Sequence, residues 1–242
     1  MRKLNLTRTT RKNFFTYGLV ILAFVILQIL SGTGAITSSL KGMLVPICAY
    51  VVMAISLNLT VGVLGELSLG HAGFMSVGAF TGTTVAIMLQ DAVPSAVLRL
   101  LIALVVGALF AAIAGFLIGI PVLRLQGDYL AIVTLAFGEI IKSIFNNFYL
   151  GIDSKGLHVS LLSDKTNLAE GGKLIIKGPM GIGGIPKLST FISGFILIMI
   201  TLVVVFNLIN SRSGRTIMAI RDNRIAAESV GVNITKYKMT AF

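Results

Sequence analysis

In a chain of 242 residues, 55% hydrophobic and only 12% charged side chains are too polar-poor to cover a water-soluble globule, which at this length carries about 25% charged residues. A formal charge of +11 suits nucleic acid only where basic residues share one folded face, and here they punctuate apolar runs, so nucleic acid is excluded as a partner. Cys48 is the single cysteine and lies in an apolar run, which rules out intrachain disulfides and a cysteine-built metal site.

A helix that crosses the hydrocarbon core needs about 20 apolar residues and satisfies its own backbone. In chain order, residues 14–30, 43–64, 67–89, 96–120, 129–150 and 191–209 meet that requirement. A further run starts at Tyr237. The expected fold class is therefore an all-α, polytopic membrane bundle of six spans with a seventh starting at the C-terminus. Because the chain stops at Phe242, just inside that run, truncation is expected. The first run is longer than a secretory signal core and reads as an uncleaved helix behind a basic leader, residues 1–13.

Orientation follows the rule that short arginine- and lysine-rich flanks stay cytoplasmic. With the N-terminus inside, Arg2, Arg8, Arg11, Arg124, Arg212, Arg215, Arg221 and Arg224 are cytoplasmic and only Arg99 falls outside. Residues 151–190, with Lys155, Lys165, Lys173, Lys177 and Lys187, are then extracytoplasmic, and residues 210–236 cytoplasmic. The parity depends on the short connection 62–66. Were residues 43–89 one broken helix, most arginines would move outside.

The stretch 62–82 has glycine at 62, 65, 70, 73, 78 and 82, with Ser68, Ala72 and Ser76 forming a four-residue ladder of small side chains. Such ladders let helix backbones approach closely, and broken helices in transporters expose backbone to substrate. Tight packing without ligand contact explains the same residues, and both readings stay open. Glu66, Ser68, Gly70, His71, Gly73 and Ser76 are the candidate pathway residues. A charge at mid-bilayer costs on the order of 3 kcal/mol, which makes Glu66 and His71 functional candidates. An interfacial Glu66 near a helix N-terminus and a neutral, hydrogen-bonded His71 are the structural alternatives. Glu139 and Lys142 lie one turn apart and read as a mutually neutralising pair.

There is no phosphate-binding loop of the Gly-x4-Gly-Lys-Ser/Thr type, so the chain needs a partner to use ATP. Two histidines, His71 and His158, with no clustered ligand pattern and no Gly-x-Ser-x-Gly elbow, argue against a metalloenzyme or serine hydrolase. No catalytic residue, metal site or cofactor is expected. In residues 211–236, Asp222 or Asn223 can cap a short helix that Gly231 terminates. Ala226 and Ala227 would give that helix a smooth face for docking into another protein, while a plain basic loop on anionic headgroups is the alternative. A proton-coupled transporter with Glu66, His71 and Glu139 as relay groups is the competing function.

Four strings carry a family resemblance across most of the chain: residues 56–62 followed by 65–74, residues 124–135, residues 178–186 and residues 214–238. In these strings the sequence resembles the permease subunits of high-affinity branched-chain amino-acid ABC importers of bacteria. The resemblance implies transport without catalysis, a companion permease in a heterodimer, two ATP-binding subunits, an extracytoplasmic substrate-binding protein and a cell-membrane location. It also implies that Gly214, Arg215, Arg221, Asp222, Ala226, Ala227 and Gly231 belong to an ATPase-coupling loop of the Glu-Ala-Ala-x3-Gly kind, with Ile225 where the family's glutamate would stand.

Overall fold

The computed structural model describes residues 8–90, 92–125, 127–153, 156–161, 173–183 and 187–242. In chain order these form α1 (Arg8–Gly32), α2 (Ser38–Asn58), a π-helical turn (Leu59–Leu64), α3 (His71–Met88), α4 (Ala96–Val122) and α5 (Asp128–Asn146). Then follow β1 (Phe148–Asp153), β2 (Gly156–Leu161), β3 (Lys173–Lys177), a 3-10 turn (Gly178–Met180), α6 (Phe191–Asn210), α7 (Arg212–Asp222), α8 (Arg224–Ser229) and α9 (Ile234–Ala241). Residues 1–7 of the basic leader, with Arg2, and the loop lysines Lys155 and Lys165 lie outside the described residues, while residues 8–13 open α1.

Five described helices are long and apolar enough to cross a membrane: Asn13–Gly32, Ser38–Leu64, Ala96–Val122, Tyr129–Asn146 and Phe191–Asn210. Large apolar side chains along them, Phe14, Leu22, Val105, Leu117 and Val204 among others, point outward, a surface that hydrocarbon and not water can solvate. The stretch expected as a span at 67–89 differs. Its helix starts only at His71, and it is not among those five.

The chain divides into two compact units, Met1–Asn58 with Ser189–Arg215, and Leu59–Leu188 with Thr216–Phe242. In the first, α2 packs on α6 around Cys48, Ile198 and Leu202. The approach is close because Gly194 faces Cys48, where a Cβ would sit 2.7 Å from the Cys48 Cβ. Helix α1 joins α6 through aromatic rings: Tyr17 meets Phe206 edge-on at 5.5 Å, and Phe24 stacks on Phe191 and Phe195. Thr190 and Ser193 begin α6 with a reciprocal capping box.

In the second unit α3 packs against both α4 and α5. The segment expected as a plain loop at 151–190 contains, in its described part, strands of a three-stranded antiparallel sheet in the order β2-β1-β3, with a bulge between Leu150 and Gly151. Helix α5 therefore ends at Asn146, not Leu150. The sheet is held by Leu150, Ile175 and Ile176, packed on Phe80 and Ile87 of α3 and on Phe148 and Ile182. Apolar and β-branched residues that look like a helix extension or a loop insert are satisfied by pairing with each other. The glycine-rich 178–186 string, whose residues 184–186 lie outside the described set, begins as a turn: the Lys177 amide donates to the Gly181 carbonyl at 2.9 Å and Ile176 bridges Ile182.

Candidate functional site

The centre of the candidate site is a break between two helices. After Asn58 the chain widens into the π turn, and Gly65, with φ +79°, turns it out of the helix. The Glu66 amide donates back to the Thr60 carbonyl at 3.1 Å, a closure one residue wider than an ordinary glycine-ended helix makes. Residues 65–70 are non-helical until His71 opens α3. Widening leaves carbonyls without partners, and the Arg221 guanidinium donates to one of them, that of Gly62, at 3.1 Å. A cation at this end of a helix also meets the negative pole of its dipole. Arg221 is held in turn by Asp222, whose Oδ1 accepts from Nε and Nη2 at 3.2 and 3.1 Å. Gly65 is needed twice, since a Cβ there would lie 2.5 Å from the Arg221 Cγ.

Within the break, Glu66 forms an ion pair with Lys238 of α9, and the Lys238 side chain is only 2% exposed. The other carboxylate oxygen of Glu66 is buried without a hydrogen-bond partner. Ser68 is buried with its hydroxyl 3.3 Å from His71 Nδ1. The Leu69 amide donates to the Thr134 hydroxyl of α5 at 3.0 Å, which ties the break to that helix. The His71 ring meets Phe74 and Phe242 edge-on.

The glycines of α3 serve two neighbours. Gly70 and Gly73 face α5, where a Cβ on Gly70 would lie 2.8 Å from the Thr134 carbonyl oxygen, and one on Gly73 3.3 Å from the Gly138 Cα. Gly78 and Gly82 face Gly107 and Ala103 of α4, with backbone against backbone. Between α3 and α5 runs an open groove of about 430 Å³ lined by Leu69, Ala72, Gly73, Ser76, Gly138, Glu139 and Lys142 among others. Glu139 and Lys142 pair across one turn at 3.2 Å, each 65% exposed. Of the six expected pathway residues, Gly73 and Ser76 line the groove, while Glu66, Ser68, Gly70 and His71 belong to the break and its seam with α5. Glu66, His71 and Glu139 each engage a different neighbour: Lys238, Ser68 and Lys142.

Among the expected coupling residues, Gly214 and Arg215 open α7. The Gly214 amide donates to Ser211 Oγ at 3.1 Å, and the Arg215 amide to the Ser211 carbonyl at 3.2 Å. Asn223, not Asp222, caps α8, its Oδ1 accepting from the Ala226 amide at 3.0 Å. At the other end Gly231, φ +83°, completes a glycine-ended cap: its amide donates to the Glu228 carbonyl and that of Val232 to the Ala227 carbonyl. The smooth face expected at Ala226 and Ala227 is divided. Ala227 is 6% exposed, in a cluster with Ile220 and Ile234, whereas Ala226 points outward with Ile225, 81% exposed, and Val230, 78% exposed. Neighbouring positions on a helix differ by about 100°, so two adjacent alanines on a helix packed on one side do not share a face. Lys238 and Thr134 were missed as site residues. Within the sequence they carry no signal beyond one of two lysines in a mixed Thr-Lys-Tyr-Lys-Met segment and a hydroxyl in an apolar run.

Lipid-facing spans, a glycine-ended helix break and a capped, polar-flanked C-terminal segment define a multi-pass helical membrane protein. The chain belongs to the family described as branched-chain amino acid transport system / permease component, whose profile matches residues 39–242. It is 34% identical over 203 residues to the High-affinity branched-chain amino acid transport system permease protein LivM of Salmonella typhimurium (strain LT2), and likewise to the protein of that name from Escherichia coli (strain K12). Each alignment covers 80% of this chain and 46% of the relative, so the chain spans about half the length of the curated relatives it matches. No solved structure matches it.

Proposed function

We propose that this chain supplies membrane-spanning permease helices to an ATP-driven importer of branched-chain or related amino acids in a bacterial cell membrane. The observation that carries the coupling part of this reading is α8: a two-turn helix, capped at both ends, that presents Ile225, Ala226 and Val230 outward in a chain without a phosphate-binding loop. Large apolar side chains on a short polar-flanked helix are the pattern of a helix-in-groove contact. ATP hydrolysis then belongs to two partner subunits, substrate delivery to an extracytoplasmic binding protein, and the rest of the pathway to a companion permease. In this reading α3 crosses as a sixth span beside the five apolar helices, so that the leader and residues 210–236 are cytoplasmic and residues 151–190 are outside. The groove between α3 and α5, apolar with Ser76, Glu139 and Lys142 at its edge, is the part of this chain that lines the pathway. Family membership and the distinct partners of Glu66, His71 and Glu139 favour this over proton coupling.

Ile225→Asp and Val230→Asp test the docking role. Loss of a central apolar anchor costs about 2 kcal/mol or more, roughly thirtyfold in affinity. The expected result is a permease present in the membrane at normal level that no longer co-purifies with its ATPase and no longer supports leucine uptake. Both variants retaining association and uptake would refute α8 as the docking helix.

A further inference from the structure

We propose that Glu66, Lys238 and Arg221 form a latch through which the α7–α9 segment sets the conformation of the helix break, and with it the groove between α3 and α5. The inference rests on the reading of α8 as the ATPase-docking helix. Its starting point is the Lys238–Glu66 pair, which joins positions 172 residues apart and buries Lys238 almost completely. A lysine near a membrane surface ordinarily extends its flexible stem to water. Burial is tolerated here only because Glu66 supplies the countercharge, so the pair specifies where α9 sits against the break. Arg221 adds a second, independent tie to the carbonyl of Gly62 on the other side of Gly65. The two cations therefore hold both sides of the one residue, Gly65, whose left-handed backbone makes the break.

These cations move together. Arg221 is at the end of α7 and Lys238 on α9, and Ile220, Ala227 and Ile234 weld α7, α8 and α9 through one small core. Asn223 and Gly231 fix the connections at either end of α8. A displacement applied at Ile225 and Val230 thus reaches both ties as a rigid-body movement. On the other side of the break, Leu69 is bonded to Thr134 and Gly70 lies against its backbone, so shifting residues 65–70 moves the start of α3 relative to α5. Gly73 and Ser76, one and two turns along, line the groove. Glu66 also keeps one buried carboxylate oxygen without a partner, so the break retains acceptor capacity for a second arrangement. Glu66, Lys238 and Arg221 are positioning residues in this scheme and touch no substrate.

The test uses the full-length permease assembled with its ATPase and companion subunits in liposomes, and reads leucine uptake per ATP hydrolysed. Lys238→Met is expected to keep hydrolysis within about twofold of wild type while lowering uptake per ATP at least tenfold. Lys238→Arg, which preserves the charge, restores the ratio to within about threefold. Glu66→Gln combined with Lys238→Met, which removes the unpaired buried charge, assembles at normal level and remains uncoupled, so a folding defect in the single variant does not decide the outcome. A double variant that couples as wild type does would overturn the latch. A wild-type assembly with no ATP-dependent uptake would instead overturn the permease reading on which the latch stands.

Discussion

Replacing Gly107 by valine isolates the contact between α3 and α4. A Cβ at 107 would lie 2.6 Å from the Gly78 carbonyl oxygen and 3.4 Å from the Gly82 Cα. An ordinary carbon-to-carbonyl-oxygen contact is about 3.3 Å, so the backbones must part by roughly 0.7 Å before the rest of the side chain is placed. The opposing atom is main chain, and no rotamer change relieves it. Overpacking of this kind costs about 1–3 kcal/mol, and the helix preference of valine over glycine returns only a few tenths. A net loss of about 2 kcal/mol, near thirtyfold in the folding equilibrium, is expected. Gly115 of the same helix is the control, since a Cβ there meets nothing within 4 Å. Gly115→Val should be neutral or slightly stabilising. Reversible unfolding of both variants in mixed detergent micelles, followed by circular dichroism, measures the difference. Equal stability of Gly107→Val and Gly115→Val would refute the claim that these glycines bring α3 and α4 into backbone contact.

Thr134→Val keeps the shape of a buried side chain but removes the acceptor for the Leu69 amide, leaving that N–H unsatisfied at a cost of about 1–3 kcal/mol. Uptake should fall with Thr134→Val and survive in Thr134→Ser, and wild-type uptake by the valine variant would mean that the tie is dispensable. The proposed orientation is checked by single cysteines in a Cys48→Ala background: Lys187→Cys should react with an impermeant maleimide in intact cells, and Asn223→Cys only after permeabilisation. The reverse pattern would invert the topology.

Length and apolarity alone mark where the spanning helices lie, because a helix in hydrocarbon satisfies its backbone internally and needs only enough apolar residues to cross. The ends of α8 were likewise legible, since an asparagine cap and a left-handed glycine act on amides and carbonyls within a few residues of themselves. So was the Glu139–Lys142 pair, one turn apart. What only the tertiary structure decided depends on distant partners. Glycine recurrence in α3 suggests close packing, but the division of that packing, Gly70 and Gly73 to α5 and Gly78 and Gly82 to α4, follows from which helices arrive on each side. Ala227 turned inward because Ile220 and Ile234 occupy that side of α8. The sheet at 148–177 pairs β1 not only with the adjacent β2 but also with β3, which the chain reaches only after residues 162–172. Glu66 and Lys238 are the clearest case: each alone is a costly charge in an apolar chain, and a countercharge 172 residues away turns both into a fixed point of the fold.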